Sequence, residues 1–341
     1  MSFSARCFFS ILLVSTLFCS SASSNIDTRR EFTRREVMLL DGVASITIIE
    51  DEHHRDLAES WIARGFEIIT WYDQTFGENE NSLARQINAL PAGGKLPLPL
   101  PIFKGFQQAL KLSVLTNGWF DLAAPSPKKL FKERDYRRIV LDESDHSISF
   151  KSDRMSLDLT MFARALAVDT IAQEFKKLGV NNAQIVVGGV GMFLGQNIHT
   201  PWQIAAVADT DQTQAHRAFF YDVTGVAVVE LEDRLVNGQW IDPKDKKTFS
   251  MQFKRATVVS QHALTAVAFA VAISPFDALT AIRYLEKHHA AQGMVVDHLG
   301  EIFLTEQFRN AQMKTETPSS SYKDLGPKEL QLKRREESLE K

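Results

Sequence analysis

The chain has 341 residues, with 39 lysines and arginines against 42 aspartates and glutamates, so its formal net charge is −3. This balance argues against a nucleic-acid binder that depends on bulk positive charge. With 44% hydrophobic and 24% charged residues, the composition is that of an ordinary globular protein, and the length suits one large domain or two modest ones. Disorder and fibrous repeats are therefore excluded for most of the chain.

The N-terminus has the pattern of a secretory signal peptide. Arg6 precedes an apolar run over residues 7–18, which is shorter than the ~20 residues that a helix needs to cross a bilayer. The small residues before the following polar stretch predict cleavage after Ala22, so that the mature protein begins at Ser23. We therefore expect an exported protein in the periplasm.

Both cysteines of the chain, Cys7 and Cys19, lie within this signal segment. The mature protein then has no thiol, which excludes a disulfide framework, a zinc site with cysteine ligands and a cysteine nucleophile. A lipid anchor on Cys19 is the alternative, but bulky Phe18 stands where that processing needs a small residue.

Apolar spacing predicts the secondary structure of the mature chain. In the first half it predicts a strand at residues 43–49, helices at 56–66, 82–88 and 102–116, a loop at 91–101, and a hairpin of residues 139–142 and 147–150. Gly118 lies where the third helix should end with a C-terminal cap.

The second half mixes strands and helices without a regular βαβ order. The predicted elements are a helix at 158–178, strands at 184–187, 202–207, 226–229 and 257–259, an apolar helix at 263–272, and a hairpin of 294–297 and 301–304. Ser274 is predicted to cap a further helix, with Pro275 and Asp277 in its first turn. This order predicts an α+β fold. We expect a linker at residues 23–37, one domain at 38–310, and a charged, disordered tail at 311–341.

A glycine-rich stretch at residues 188–191 follows one of the predicted strands. Glycines there would let a ligand or another backbone segment come close. Residues 192–197 do not open a helix behind them, as the dinucleotide fingerprint requires, so a Rossmann dehydrogenase is disfavoured. Ligand approach and a tight crossing of the sheet both remain open.

Five separated stretches resemble, in order, the motifs of the ApbE family of FAD:protein FMN transferases. Residues 80–88 are similar to its Ser-Glu-Leu…Leu-Asn segment, and residues 117–121 to its Asp-Gly-x-Phe-Asp. Residues 158–169 match Asp-Leu-Gly-Gly-Ile-Ala-Lys-Gly-Tyr-Ala-Val-Asp in length and in both end carboxylates. Residues 187–189 resemble a strand that ends in Gly-Gly, and residues 201–202 its Pro-Trp.

The resemblance runs from about residue 38 to residue 308 and implies an ApbE-like, T-fold-like α+β architecture. It also implies phosphoryl transfer: FAD is split at its pyrophosphate, FMN is attached to a Thr or Ser of an exported or membrane redox flavoprotein, and AMP is released. Mg²⁺ would stabilise the charge that develops on the phosphate oxygens. The site residues implied are Arg164 and Asp158 for catalysis, Gly118, Asp121, Ala163, Asp169, Gly188, Gly189 and Asp242 for FAD, and Thr265, Ala163 and Gln261 for the metal.

Several positions depart from the family's motifs. Thr160 and Met161 replace the two glycines, and Arg164 replaces the lysine. The aspartate of the metal motif falls on Gln261, or on His262 if one residue is missing, and neither is an anionic oxygen ligand for a hard cation. These departures make transferase activity doubtful.

Some candidates also have purely structural interpretations. Asp158 and Asp169 would serve equally well to cap and solvate one helix. Trp119 and Phe120 are expected in the core rather than stacked on a flavin, because large aromatic side chains dominate packing.

Three hypotheses follow. The protein is an ApbE-type transferase, or a flavin-binding or partner-binding pseudoenzyme, or a structural exported protein that uses its tail from Lys314 onward to contact a partner. The sequence leaves all three open.

Overall fold

The computed structural model describes residues 27–40, 42–77, 79–123, 135–153, 155–208, 217–232, 240–242, 244 and 248–312. The predicted signal peptide and nearly all of the predicted tail lie outside these ranges. None of the helices in the described part of the chain combines the length and the apolar character that a bilayer crossing requires.

Helices and strands alternate irregularly along the chain. The helices are α1 (Arg55–Phe76), α2 (Leu83–Asn88), α3 (Leu100–Leu115), α4 (Thr160–Leu178), α5 (Ala263–Ile273), α6 (Ala278–His288) and α7 (Glu306–Gln312). The strands are β1 (Arg29–Leu39), β2 (Gly42–Asp51), β3 (Lys95–Pro97), β4 (Ile139–Asp142), β5 (Ser147–Phe150), β6 (Ala183–Val187), β7 (Val190–Leu194), β8 (Trp202–Ala208), β9 (Arg217–Val223), β10 (Val226–Glu232), β11 (Trp240–Ile241), β12 (Thr248–Phe249), β13 (Arg255–Ser260), β14 (Gln292–Val296) and β15 (Ile302–Leu304).

An eight-stranded sheet organises the molecule, with the order β1-β2-β6-β7-β10-β13-β14-β15. Each neighbouring pair in it is antiparallel. A small sheet, β3-β5-β4, contacts α3 beside it. This arrangement confirms the α+β prediction.

The two faces of the large sheet are covered differently. Alternate residues of β2, Ala44, Ile46 and Ile48, are buried in the main core, where α1, α4 and α5 pack against the strands. The opposite face is covered in part by β8, β9 and α7, where Tyr221 lies 4.5 Å from Phe308, centroid to centroid. The residues of β2 and β6 that alternate with the core positions therefore point to this opposite face.

The predicted elements are present, with local differences. Helix α1 continues to Phe76, beyond the predicted end at residue 66, and β7, β9 and α7 form where no element was predicted. The segment expected to be a linker forms the edge strand β1 from Arg29 onward, which periodicity did not reveal because edge strands carry charged residues. The loop predicted at residues 91–101 contains β3 and the first turn of α3. Ser274 does not cap α6; Asp277 is the N-cap, and its carboxylate accepts the Thr280 N–H at 3.0 Å.

Candidate functional site

Arg164 projects from the second turn of α4 to the point where β2 begins and β6 ends. Its Nε donates to the carbonyl oxygen of Leu40 at 2.8 Å, and its Nη1 donates to the carbonyl oxygen of Gly188 at 3.1 Å. The guanidinium therefore joins the segment before β2 to the turn after β6. Two directed hydrogen bonds fix its position, which a lysine ammonium could not reproduce in the same geometry.

The two glycines of the β6–β7 turn adopt the left-handed conformation, with φ of +54° at Gly188 and +85° at Gly189. A Cβ at Gly188 would lie 2.7 Å from Cζ of Arg164. A Cβ at Gly42 would lie 2.7 Å from Cα of Gly188. The space that these glycines leave is thus used by the chain's own arginine and by a close approach of two backbone segments.

A cavity of about 550 Å³ lies next to this arginine. It is lined by Arg35, Gly42, Val43, Ser45, Arg164, Gln184, Val186, Gly188 and Gly189. We call it the arginine cavity. The sequence motifs include Arg164, Gly188 and Gly189. They do not include the polar residues Arg35, Ser45 and Gln184, whose only signal in the sequence is their alternation with core positions of the strands.

Asp169 joins α4 to the start of α5. Its Oδ1 accepts the Ala263 N–H at 2.8 Å and its Oδ2 accepts the Leu264 N–H at 3.1 Å. His262, the N-cap residue of α5, makes no side-chain capping bond, so a carboxylate from a neighbouring helix takes that role. Burial raises the pKa of Asp169, and the two backbone hydrogen bonds act against that rise.

Two of the predicted metal ligands, Thr265 and Gln261, lie at or next to the start of α5, and the third, Ala163, lies in α4. Thr265 lies in the first turn of α5, Gln261 is exposed two residues before that helix, and Ala163 is buried in α4. Asp169 supplies a negative charge in this region, but both of its carboxylate oxygens already accept hydrogen bonds from N–H groups. The N-terminus of α5 carries a partial positive charge, which disfavours a cation. No group of three or more His, Cys, Asp or Glu side chains in the described ranges is placed to hold a metal ion. Neutral donors at a positive helix end do not fit Mg²⁺, which prefers anionic oxygens.

Gly118 and Asp121 organise the loop that follows α3. Gly118 has φ of +77°, and its N–H donates to the Ser113 carbonyl oxygen at 2.7 Å, so it ends the helix as predicted. The buried carboxylate of Asp121 accepts the Ala123 N–H at 2.8 Å and the Tyr136 N–H at 3.1 Å. These bonds hold the loop in place.

Asp158 lies beside that loop at the entrance to α4. Its backbone N–H donates to the Leu122 carbonyl oxygen at 2.9 Å, and its exposed carboxylate accepts the Thr160 N–H at 3.1 Å. Asp158 and Asp169 therefore both accept N–H groups at helix starts, close to the structural interpretation, but at two different helices instead of one.

Asp242 is linked through Lys244 to Trp119, which lies in the loop after α3. Its carboxylate accepts the Lys244 N–H at 2.7 Å, and Nζ of Lys244 lies 3.8 Å from the ring centroid of Trp119. Trp119 is partly buried and packs edge-to-face on Phe276, with 4.9 Å between centroids. This cation–π contact is a feature that the sequence did not reveal.

The architecture is shared with solved structures. A flavin transferase ApbE from Vibrio cholerae is 15% identical with a TM-score of 0.69, covering 83% of this chain and 99% of that one. The apo form of Pseudomonas stutzeri flavinyl transferase ApbE is 19% identical with a TM-score of 0.70, covering 84% and 97%. The apbe protein from Thermotoga maritima is 17% identical with a TM-score of 0.68, covering 83% and 99%. At these identities the likeness shows the fold.

Sequence comparison supplies the family. No curated protein sequence matches this chain. The model of the ApbE family, in contrast, matches residues 40–296, which include the Leu40 carbonyl, the arginine turn of α4, the Gly188–Gly189 turn and the start of α5. With three quarters of its length matched in this way, the chain belongs to the ApbE family.

Proposed function

We propose that this protein is an exported, flavin-nucleotide-binding member of the ApbE family in which magnesium-dependent FMN transfer has been lost. The support for flavin binding is family membership together with a fold shared with proteins named flavin transferases. The sequence pattern of a signal peptide supports export to the periplasm.

One observation carries the loss of transfer. At the start of α5, where the family's metal motif falls, Gln261 supplies an amide in place of a carboxylate. The nearby carboxylate, Asp169, is occupied by the N–H groups of Ala263 and Leu264. A divalent cation there would meet a positive helix end and one partly buried carboxylate that is already hydrogen-bonded.

The family's own reaction is the second candidate. In it, the hydroxyl of a Thr or Ser on a partner flavoprotein forms a bond to the FMN phosphorus, and AMP leaves. The observation in its favour is that Asp169 holds the first turn of α5 against α4, so Ala163 and Thr265 belong to helices that stay adjacent without a metal. FAD and an exported or membrane redox flavoprotein would then be its substrates.

The test is a nucleotide assay with a gain-of-function variant. The mature chain from Ser23 is incubated with FAD and Mg²⁺, and the nucleotides are separated to measure AMP. We expect intact FAD with the wild type, and AMP formation when Gln261→Asp and Arg164→Lys restore the family's residues together.

A matched control variant carries the same two types of substitution, Gln to Asp and Arg to Lys, at other positions. Gln252→Asp and Arg137→Lys change exposed residues outside the candidate site and are expected to leave FAD intact. Magnesium-dependent AMP release by the wild type would instead establish the second candidate. Absence of any FAD binding would contradict both and leave the structural hypothesis.

A further inference from the structure

The arginine cavity lies on the sheet face opposite α4. On β2 and β6, Ala44, Ile46 and Ile185 are buried in the main core, so Ser45 and Gln184, which line the cavity, point the other way. Its volume of about 550 Å³ falls within the ~300–1,000 Å³ of small-molecule sites. The cavity is therefore distinct from the region around the start of α5.

Both charged side chains that line the cavity in the described part of the chain are positive. Arg35 comes from β1 and Arg164 from α4, and no aspartate or glutamate lines the cavity within the described ranges. Arg35 is exposed and has no ion-pair partner among the residues that the structure describes. By contrast, Arg34 beside it contacts Glu36. An exposed arginine that no described carboxylate engages, in a cavity with neutral polar neighbours, favours an anionic ligand.

The two arginines have different roles. The Arg164 guanidinium is held by the carbonyls of Leu40 and Gly188, and Sδ of Met161 lies 3.6 Å from its Nη1. A prepositioned cation loses little freedom when it binds a ligand. Arg35 is solvent-exposed and is able to reach the ligand from the other side, while Ser45 and Gln184 add neutral hydrogen-bond donors.

We propose that the arginine cavity is a phosphate-binding site in which Arg35 is the main determinant of specificity. Arginine matches a phosphate with two parallel N–H donors, and the exposed Arg35 offers such a fork at the cavity. The phosphate belongs either to a flavin nucleotide, which rests on the proposed function, or to free phosphate or pyrophosphate.

The experiment compares ligands with and without phosphate. Dissociation constants for riboflavin, FMN and pyrophosphate are measured by calorimetry, without metal, for the wild type and for Arg35→Gln. Arg30→Gln is the control, because Arg30 is an exposed arginine of the same strand outside the cavity. We expect Arg35→Gln to raise the dissociation constants of FMN and pyrophosphate about tenfold and to leave that of riboflavin unchanged. Arg30→Gln should change none of the three constants.

The ligands separate this inference from the proposed function. If FMN and riboflavin bind with equal affinity and Arg35→Gln behaves like Arg30→Gln, the phosphate site is overturned while flavin binding stands. If pyrophosphate binds through Arg35 but no flavin binds, the phosphate site is supported with free phosphate or pyrophosphate as its ligand, and the proposed function is contradicted.

Discussion

The link between α4 and α5 predicts a stability change that depends on one carboxylate. Asp169 accepts the N–H groups of Ala263 and Leu264, the first two residues of α5, at 2.8 and 3.1 Å. Both of these α5 residues are fully buried. Asp169→Ala removes both acceptors and leaves two N–H groups at a buried helix end without them.

The size of the effect follows from two opposing contributions. Loss of an N-cap acceptor costs about 1 kcal/mol, and an unsatisfied buried N–H costs roughly 1–3 kcal/mol. Against this, the variant no longer buries a carboxylate whose desolvation raises its pKa. We expect a net loss of about 2 kcal/mol in the free energy of unfolding, which corresponds to a fall of about 4 °C in Tm for a domain of this size.

The assay is urea unfolding of the mature protein, with Asp158→Ala as the matched control. Asp158 also accepts a helix-terminal N–H, from Thr160, but its carboxylate is exposed, so water replaces it. We expect the control to lose less than half as much stability as Asp169→Ala. Equal losses in the two variants would refute the reasoning that Asp169 ties α5 to α4.

Three further predictions concern the Asp169 carboxylate, the Gly188 turn and the N-terminus. Because burial raises the pKa of Asp169 above its ordinary value of 3.8, the pH-dependent part of its contribution to stability is fully present below that pH and is lost as pH rises through the native pKa, while its two hydrogen bonds from N–H groups remain at neutral pH. Asp169→Asn should flatten this part of the curve of unfolding free energy against pH, and an unchanged curve would contradict the assignment. Gly188→Ala should destabilise by about 3 kcal/mol, from left-handed strain and a clash with Arg164, whereas Gly93→Ala, also at positive φ but in open space, should show only the ~1–2 kcal/mol of strain. Chemical denaturation measures both, and in the Arg164→Ala background the difference should disappear. N-terminal sequencing of protein from the periplasm should begin at Ser23, and an uncleaved N-terminus would contradict the predicted signal peptide.

Strong periodic patterns made most of the fold predictable from the sequence. The hairpin of β4 and β5 was predicted with the bounds that the structure shows, because its apolar residues alternate and a polar turn separates them. By contrast, β1 was missed, since an edge strand with four arginines has little apolar alternation. The start of α6 was misplaced because Ser274 and Asp277 are both good caps, and only tertiary packing decides between them.

The candidate site was less predictable, because it depends on which partners side chains find in three dimensions. The motif resemblance placed Arg164 and Gly188 in one site but could not show that the arginine fills the space beside the glycine. Nor could a sequence show that Asp169 caps a helix almost a hundred residues away. Arg35, from the missed edge strand, had no motif to mark it.

Metal-independent flavin binding is tested most directly by an equilibrium titration of FAD into the mature protein, once with Mg²⁺ and once with EDTA. Flavin fluorescence reports the binding. We expect one saturable binding curve with the same dissociation constant in both conditions, and FAD recovered intact afterwards. Binding that appears only with Mg²⁺ and is accompanied by AMP would contradict it.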